Sequence, residues 1–256
     1  MNTLSVEKLD EGLYSFEEVS GNSVNAYFVI GEKRALMIDA LESLEGLYAE
    51  ARKLTGLPLD VVIAHGHGDH CGPGAGEFAA AGCKVYMDRR DEAILAETGS
   101  VRFPAGFFTE LKGIERFDLG ETVLELIPLP GHTPGSVMLL DREKRRLFSS
   151  DSVGSGPIWM QLPHSLPLHV YYENLKGVYG DLKQYDDLTV LCGHRRQSPH
   201  KLTINYIGDV LETAELILSG KEKGETLSVD YGDLHMDSRI VKHKSMLGFF
   251  YNPDNL

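Results

Sequence analysis

Cysteine is scarce in this sequence: its three copies are Cys71, Cys83 and Cys192. An odd number of widely separated cysteines does not supply the closed set of pairs that a disulfide-stapled domain needs. We therefore expect reduced thiols and no disulfide framework. Residues 1–16 also lack the basic start and apolar run of a secretory signal. Together these absences predict a cytoplasmic protein.

Positive charge and long apolar runs are also in short supply. The chain has 25 basic against 38 acidic residues, a formal net charge of −13. Such a balance repels polyanions unless a basic patch intervenes, and the nearest basic run, Arg142 to Arg146, is broken by Glu143. A nucleic-acid partner is therefore not expected. No stretch approaches the length of apolar chain that crosses a bilayer, so a membrane partner is not expected either.

What the sequence does contain is an alternation of strand and helix patterns. Its 256 residues, 42% hydrophobic, can bury a sizeable core, and no linker marks a boundary, which predicts one domain over 1–256. Apolar runs and amphipathic stretches alternate along the chain, which predicts the α/β class. Strands are predicted at 24–30, 35–38, 59–64, 85–87, 122–128, 136–140, 146–149 and 188–192, with helices at about 43–54, from 75, at 91–97, from 169 and at 199–219.

The segment His65 to His70 reads HGHGDH and follows a predicted strand. It places four potential metal ligands within six residues, and its two glycines permit close turns. His65 and His67 are two positions apart, so in extended backbone both imidazoles project to the same side. A structural role rarely needs three imidazoles and a carboxylate in one such segment. The pattern indicates a metal site.

Further ligand candidates follow three other predicted strands. His132 lies in GHTPG, a tight turn; Asp151 follows LFSS; and His194 follows CG. Each alone has an ordinary explanation as a turn or capping residue. Their recurrence after three separate strands favours a shared metal site.

These segments, in this order, resemble the successive metal motifs of the metallo-β-lactamase superfamily. Asp39, in ALMIDA, is similar to the family's first motif. The resemblance spans roughly residues 10–220 and implies an αβ/βα four-layer sandwich, two mixed β-sheets flanked by helices. Asp151 stands where the main β-lactam-cleaving groups carry cysteine. The chain thus resembles the glyoxalase II-like branch more than a true β-lactamase.

The resemblance also implies how the ligands divide. One metal would be bound by His65, His67 and His132. A second would be bound by Asp69, His70 and His194, with Asp151 bridging the pair. Asp39 would orient a ligating imidazole without itself binding metal, or would simply occupy a turn at a strand end. Imidazole and carboxylate ligands favour two Zn ions, with Fe or Mn as alternatives.

Such a centre predicts a hydrolase in which a metal-bridging hydroxide cleaves an ester, thioester or lactone of a small molecule, with Asp69 as the catalytic candidate. Phosphoester hydrolysis is one alternative. Another class is a mononuclear Fe enzyme resembling persulfide dioxygenases. A binding protein that kept the fold but lost catalysis is a third, weakened because all seven ligand positions are filled.

Two segments are candidates for contacts with substrate or partner. Residues 154–180 are predicted to form a helical cap over the site, with Trp159, His164 and Tyr171 as pocket candidates. Phe107, from another aromatic loop, is a fourth. The alternative for each is packing onto the core. Residues 225–256 are a C-terminal extension. Its segment from Ser238 to Tyr251 either returns as a strand or docks on a neighbouring subunit, and docking would make a homodimer.

Arg195 and Arg196 directly follow His194. They either reverse the negative field beside the site or are solvated surface charges. The sequence leaves both readings open.

Overall fold

Two mixed sheets form the middle of the molecule, and helices cover their outer faces. The structure is a computed structural model that describes residues 3–19, 22–154, 156–198, 201–231, 234–244 and 246–256. The first sheet has seven strands in chain order, antiparallel from the first to the fourth and parallel from the fourth to the seventh. They are β1 (Thr3–Asp10), β2 (Leu13–Val19), β3 (Val24–Ile30), β4 (Ala35–Ile38), β5 (Leu59–Val62), β6 (Val85–Met87) and β7 (Thr109–Glu110).

Among the described residues the second sheet has six strands, ordered β14-β13-β11-β10-β9-β8, of which only the β11–β13 pair is parallel. These strands are β8 (Arg116–Asp118), β9 (Val123–Pro128), β10 (Val137–Asp141), β11 (Arg146–Ser150), β13 (Thr189–Cys192) and β14 (Leu202–Thr203). Residues of both sheets share one buried cluster, in which Tyr27 and Phe148 contact each other. The sheets therefore pack face to face.

In the described part of the chain, five α-helices form the two outer layers. They are α1 (Leu47–Leu54), α2 (Pro73–Ala80), α3 (Glu92–Thr98), α4 (Leu168–Leu182) and α5 (Ile204–Leu218). A second buried cluster joins α1, α2 and α3 to the first sheet, and a third joins α4 and α5 to the second sheet. The order helix, sheet, sheet, helix is the expected four-layer αβ/βα sandwich, so the predicted fold class is confirmed.

A third, smaller sheet is built largely from the C-terminal residues. Its order is β12-β17-β16-β15, with β12 at Ile158–Met160, β15 at Glu225–Tyr231, β16 at Leu234–Val241 and β17 at Phe249–Tyr251. The tail thus returns as strands, and its docking on a neighbouring subunit stays a prediction. Among the described residues, no helix combines the length and the apolar character needed to span a membrane.

Two predicted helices begin later than expected. The helix predicted from 43 begins at Leu47, because the Glu18 carboxylate accepts hydrogen bonds from the backbone of Glu42 and Ser43 and holds that segment as a loop. The last helix begins at Ile204, because residues 202–203 pair with β13 as an edge strand. The predicted positions 199 and 200 lie outside the described residues.

Candidate metal centre

The HGHGDH segment leaves the end of β5 and turns sharply at its glycines. A Cβ atom on Gly66 would lie 2.5 Å from the carbonyl oxygen of Asp91, and one on Gly68 would lie 2.5 Å from the Cα atom of Gly99. Only glycine permits these approaches without displacing backbone. The segment then closes in a single 3-10 turn over Gly68–His70, which turns Asp69 and His70 toward the same region as His65.

Three buried histidines form the first group of candidate ligands. The ring centroids of His65 and His67 are 5.0 Å apart, those of His65 and His132 are 5.0 Å apart, and those of His67 and His132 are 4.6 Å apart. One ligand atom from each lies within 4.8 Å of the others. The turn after β9 thus brings His132 to the HGHGDH segment across about 65 residues of chain.

A second group combines Asp69, His70, Asp151 and His194. The His194 Nε2 atom lies 3.3 Å from an oxygen of Asp69 and 3.4 Å from an oxygen of Asp151. Asp151 also lies 3.3 Å from His70 Nε2 and 3.9 Å from Nε2 of His132, a member of the first group. The Asp151 carboxylate therefore spans the two groups.

The outer ring nitrogens of the histidines are held by the surrounding chain. The Nδ1 atoms of His132 and His194 lie 2.8 and 3.0 Å from the backbone carbonyl oxygens of Trp159 and Asn22. Such contacts fix ring orientation and tautomer, which is the usual arrangement behind a ligating imidazole. They leave the Nε2 atoms facing the centre.

The donor set fits divalent metal ions. The buried Nε2 atoms of His65 and His132 have no hydrogen-bond partner in the part of the chain that the structure describes. An unpaired buried polar atom is costly, and a metal ion would satisfy both. Imidazole nitrogens with carboxylate oxygens suit Zn, Fe or Mn. The seven predicted ligands thus come together in two adjoining groups that could hold metal.

Asp39 lies at the end of β4 in a left-handed conformation, with φ of 64°. One carboxylate oxygen accepts the Ala64 amide at 2.8 Å. The other lies 3.0 Å from His70 Nδ1 and accepts the Ser150 hydroxyl at 2.7 Å. Asp39 is therefore a strand-end residue whose carboxylate contacts the Nδ1 atom of a candidate ligand, His70.

Asp91 is a buried carboxylate that sequence reasoning missed as part of the site. One oxygen accepts the Gly66 amide at 2.8 Å and the Thr133 hydroxyl at 2.5 Å, and the other accepts the Gly135 amide at 2.6 Å. It thereby joins the two loops that carry the three histidines. Burial raises the pKa of Asp91, opposed by these hydrogen bonds. In the sequence Asp91 indicates only the start of a helix, α3, so no local pattern marks it as part of the candidate site.

The two groups differ in their electrostatics. Burial lowers the pKa of His65 well below its usual range and that of His67 to about 3, so both are neutral imidazoles. Burial acts in the same direction on His194, but the Asp151 carboxylate outweighs it and raises the pKa of His194 to about 10. Conversely, burial disfavours charge on Asp151, yet His194 and His70 hold its pKa well below the usual range. The carboxylates of Asp69 and Asp151 therefore favour positive charge within the second group.

The low pKa of His67 predicts a pH dependence of stability in the metal-free chain. Because folding lowers this pKa, the unfolded chain binds a proton below pH 6.5 that the folded chain refuses, and stability falls as the pH drops toward about 3. The contribution is about 1.4 kcal/mol per pH unit. Urea unfolding in chelator at pH 5 and 6.5 should show a smaller pH slope for His67→Ala than for the wild type.

The matched control for this measurement is His169→Ala, since His169 is exposed. This variant should keep the wild-type slope. Equal slopes for His67→Ala and the wild type would show that folding does not lower the pKa of His67.

A cavity of about 210 Å³ opens onto the candidate ligands. It is lined by Asn22, His67, Asp69, His132, Asp151, Trp159, Leu162, His194 and Gln197. Of the four predicted pocket residues, only Trp159 is among them.

The other three predicted pocket residues lie elsewhere, for different reasons. Tyr171 is fully buried in the core and its hydroxyl donates to the Ser152 carbonyl at 2.8 Å. Phe107 packs in an aromatic group with Phe103 and Phe108, against the buried cluster that lies between the first sheet and its helices. His164 lies 3.1 Å from the Glu97 carboxylate on α3.

Arg195 and Arg196 do not offer free positive charge beside the cavity. Arg195 is paired with Glu7, and Arg196 is paired with Glu17. Their guanidinium groups are thus engaged by acidic residues of the first sheet. These ion pairs argue against the hypothesis that the two arginines reverse the negative field beside the site.

Comparisons of the sequence and of the structure with known proteins agree on one family. The sequence profile of the metallo-beta-lactamase superfamily matches residues 19–194. The uncharacterized protein YobT of Bacillus subtilis is 34% identical over 147 residues, covering 50% of this chain and 61% of YobT. The acyl-coenzyme A thioesterase MBLAC2 of Gallus gallus is 32% identical over 190 residues, covering 61% of this chain and 68% of that protein.

A hydroxyacylglutathione hydrolase of Francisella tularensis is 26% identical over 163 residues, covering 62% of this chain and 60% of that protein. The chain thus matches less than two thirds of the length of YobT and of this hydrolase. Among solved structures, the DIM-1 metallo-beta-lactamase superposes with a TM-score of 0.63 at 20% identity, over 84% of this chain and 98% of that one. A metallo-beta-lactamase from Pontibacter korlensis gives 0.62 at 17% identity, over 83% and 99%. These two similarities show the fold.

Proposed function

The chain belongs to the metallo-beta-lactamase superfamily, and on that premise we propose that it is a binuclear metal-dependent hydrolase of small-molecule thioesters. The observation that carries the proposal is the position of Asp151. Its carboxylate lies within 4 Å of Nε2 atoms of His70, His132 and His194, which belong to both candidate groups. A carboxylate so placed suits a pair of cations at close range.

Two features favour a thioester over the ester and lactone that the sequence also allows. Two relatives are named as hydrolases that release an acyl group from coenzyme A or from glutathione, and both carriers are thiols. The cavity, at about 210 Å³, is smaller than a pocket that encloses a drug-sized ligand, about 300 Å³ or more. It suits a substrate whose reacting end enters while its carrier stays outside.

We assign one metal ion to His65, His67 and His132, and the other to Asp69, His70 and His194, with Asp151 shared. Bound metal ions would activate water and polarise the scissile carbonyl group. Hydrolysis adds water across the acyl carbon–sulfur bond, giving a carboxylic acid and a thiol. Asp69 has the most exposed side chain among the acidic ligands, 24% against 11% for Asp151, and it lines the cavity. We therefore assign to Asp69 the transfer of a proton to the departing sulfur.

Zinc is the first choice of metal, because the set of imidazoles and carboxylates is one that zinc accepts in catalytic sites. Iron with the same ligands would instead serve the mononuclear dioxygenase alternative. The completeness of the second group, with Asp69, His70 and His194 all present, argues for two metals. Two metals per chain and no oxygen uptake would separate the hydrolase from the oxygenase.

Removal of metal tests the proposal directly. Treating the purified protein with a chelator should abolish hydrolysis of an acyl thioester, and adding back Zn²⁺ should restore it. The measurement is thiol release, together with elemental analysis of the protein. One Fe per chain with oxygen consumption and no thiol release would overturn the hydrolase, as would thioester hydrolysis that survives complete removal of metal.

A further inference from the structure

Two chemically different sets of residues line the cavity, one beside His132 and the other beside His194. The Nδ1 atom of His132 lies 2.8 Å from the Trp159 carbonyl oxygen, and that of His194 lies 3.0 Å from the Asn22 carbonyl oxygen. Trp159 and the buried Leu162 form an apolar side. Asn22, which is exposed, and Gln197 form a polar side. The Gln197 amide donates to the Asn22 carbonyl oxygen at 2.8 Å, so the polar side is tied together as well. A bound molecule with one apolar and one polar end would therefore have a preferred direction.

The apolar side is held in place by the C-terminal sheet. Strand β12, which carries Trp159, pairs in parallel with β17, and the Trp159 indole stacks on the Phe250 ring at 5.2 Å between centroids and 26° between planes. Phe250 lies outside residues 19–194, the range that matches the superfamily profile. A segment beyond the shared family region thus supports one wall of this cavity.

The volume of the cavity limits what can bind against that wall. About 210 Å³ is a little more than the roughly 150 Å³ of an apolar protein cavity that binds one benzene molecule. The reacting carbonyl and sulfur take part of this space, and the rest is too small for a long alkyl chain. The polar thiol carrier must therefore leave the cavity on the side where Asn22 is exposed to solvent.

We infer that this cavity selects thioesters of short acyl chains, with the acyl group against Trp159 and Leu162 and the thiol carrier leaving past Asn22 and Gln197. The inference rests on the proposed function for the thioester bond. Phe250 is then a positioning residue, because it acts on substrate through Trp159. An apolar pocket discriminates added methylene groups by about tenfold or more where no space is left for them.

Binding can be measured without turnover, because Trp159 is the only tryptophan in the chain. Its fluorescence should respond to butanoate, the acid that a short thioester would release, and much less to octanoate at the same concentration. Tighter binding of octanoate than of butanoate would overturn the inference. This titration stands even if the protein hydrolyses no thioester, a result that would remove only the proposed function.

Turnover gives the second measurement, with S-acyl N-acetylcysteamine thioesters from acetyl to decanoyl as substrates. The wild type should lose kcat/KM by about tenfold or more between butanoyl and octanoyl. Leu162→Ala should move this cut-off to longer chains, while Leu227→Ala, the same change at an exposed site, should leave it unchanged. A flat wild-type profile, or an unmoved cut-off in a folded Leu162→Ala variant, would overturn the inference.

Phe250→Ala tests the supporting role of the C-terminal sheet. It should raise KM for butanoyl thioester and weaken the chain-length cut-off, while the metal content stays that of the wild type. Phe250→Tyr, which keeps a ring that can stack on Trp159, should restore the wild-type KM. A wild-type KM and cut-off in Phe250→Ala would show that Trp159 does not depend on this contact.

Discussion

Replacing Asp151 with alanine is expected to lower kcat/KM for thioester hydrolysis by about 10³-fold or more. In the proposed site this carboxylate is shared by both metal ions, and the charge stabilisation that such ions provide is several kcal/mol, with about 1.4 kcal/mol for each factor of ten. Elemental analysis should show fewer than two metal ions per chain. Asp151→Asn keeps the shape of the side chain and removes its charge, so it should lose most of the activity as well.

Asp187→Asn provides the control for the Asp151 variants. Asp187 is paired with Arg145 on the surface, and its side chain is 59% exposed. The control should keep wild-type activity and metal content. A folded Asp151→Ala protein with two metal ions and near-wild-type turnover would remove the shared-ligand assignment.

Replacing Asp91 with alanine is expected to destabilise the chain by about 1–3 kcal/mol for each buried donor left unsatisfied, and to weaken metal binding by about 10–100-fold. The change leaves the amides of Gly66 and Gly135 and the hydroxyl of Thr133 without the carboxylate that accepts them. Because these groups belong to the two loops that carry the three histidines, their loss frees both loops. Urea unfolding and metal titration measure the two effects separately.

Asp118→Ala is the matched control for Asp91. Asp118 is exposed and accepts one local hydrogen bond, from the Gly120 amide. Its removal should change stability by less than about 1 kcal/mol and leave metal affinity unaltered. Asp91→Ala with wild-type stability and metal affinity would show that the loops hold their positions without this carboxylate.

The sequence was most informative where a strand ends in a short cluster of ligands. HGHGDH and the buried strands that precede the four ligand segments are local patterns, and their recurrence predicted both the α/β class and the residues that converge. The sequence was less informative about the residue at which a helix begins. The hydrogen bonds of Glu18 delay α1, and they come from a strand more than 20 residues away.

Aromatic residues show the limit of reasoning from composition. Trp159 and Tyr171 were equally plausible as pocket residues, yet Trp159 lines the cavity and Tyr171 lies in the core. Burial depends on which face of an element meets its neighbour. That choice is made by packing between layers, and nothing in the immediate sequence of either residue records it.

By itself the sequence determined the class of the chain, the strand ends that carry the candidate ligands, and the chemistry of those ligands, because periodicity and residue type are local properties. Only the tertiary structure decided that Asp91 joins the loops of His65 and His132 and that Phe250 stacks on Trp159. Those contacts join residues distant in the chain, and they exist only once the sheets and helices have packed.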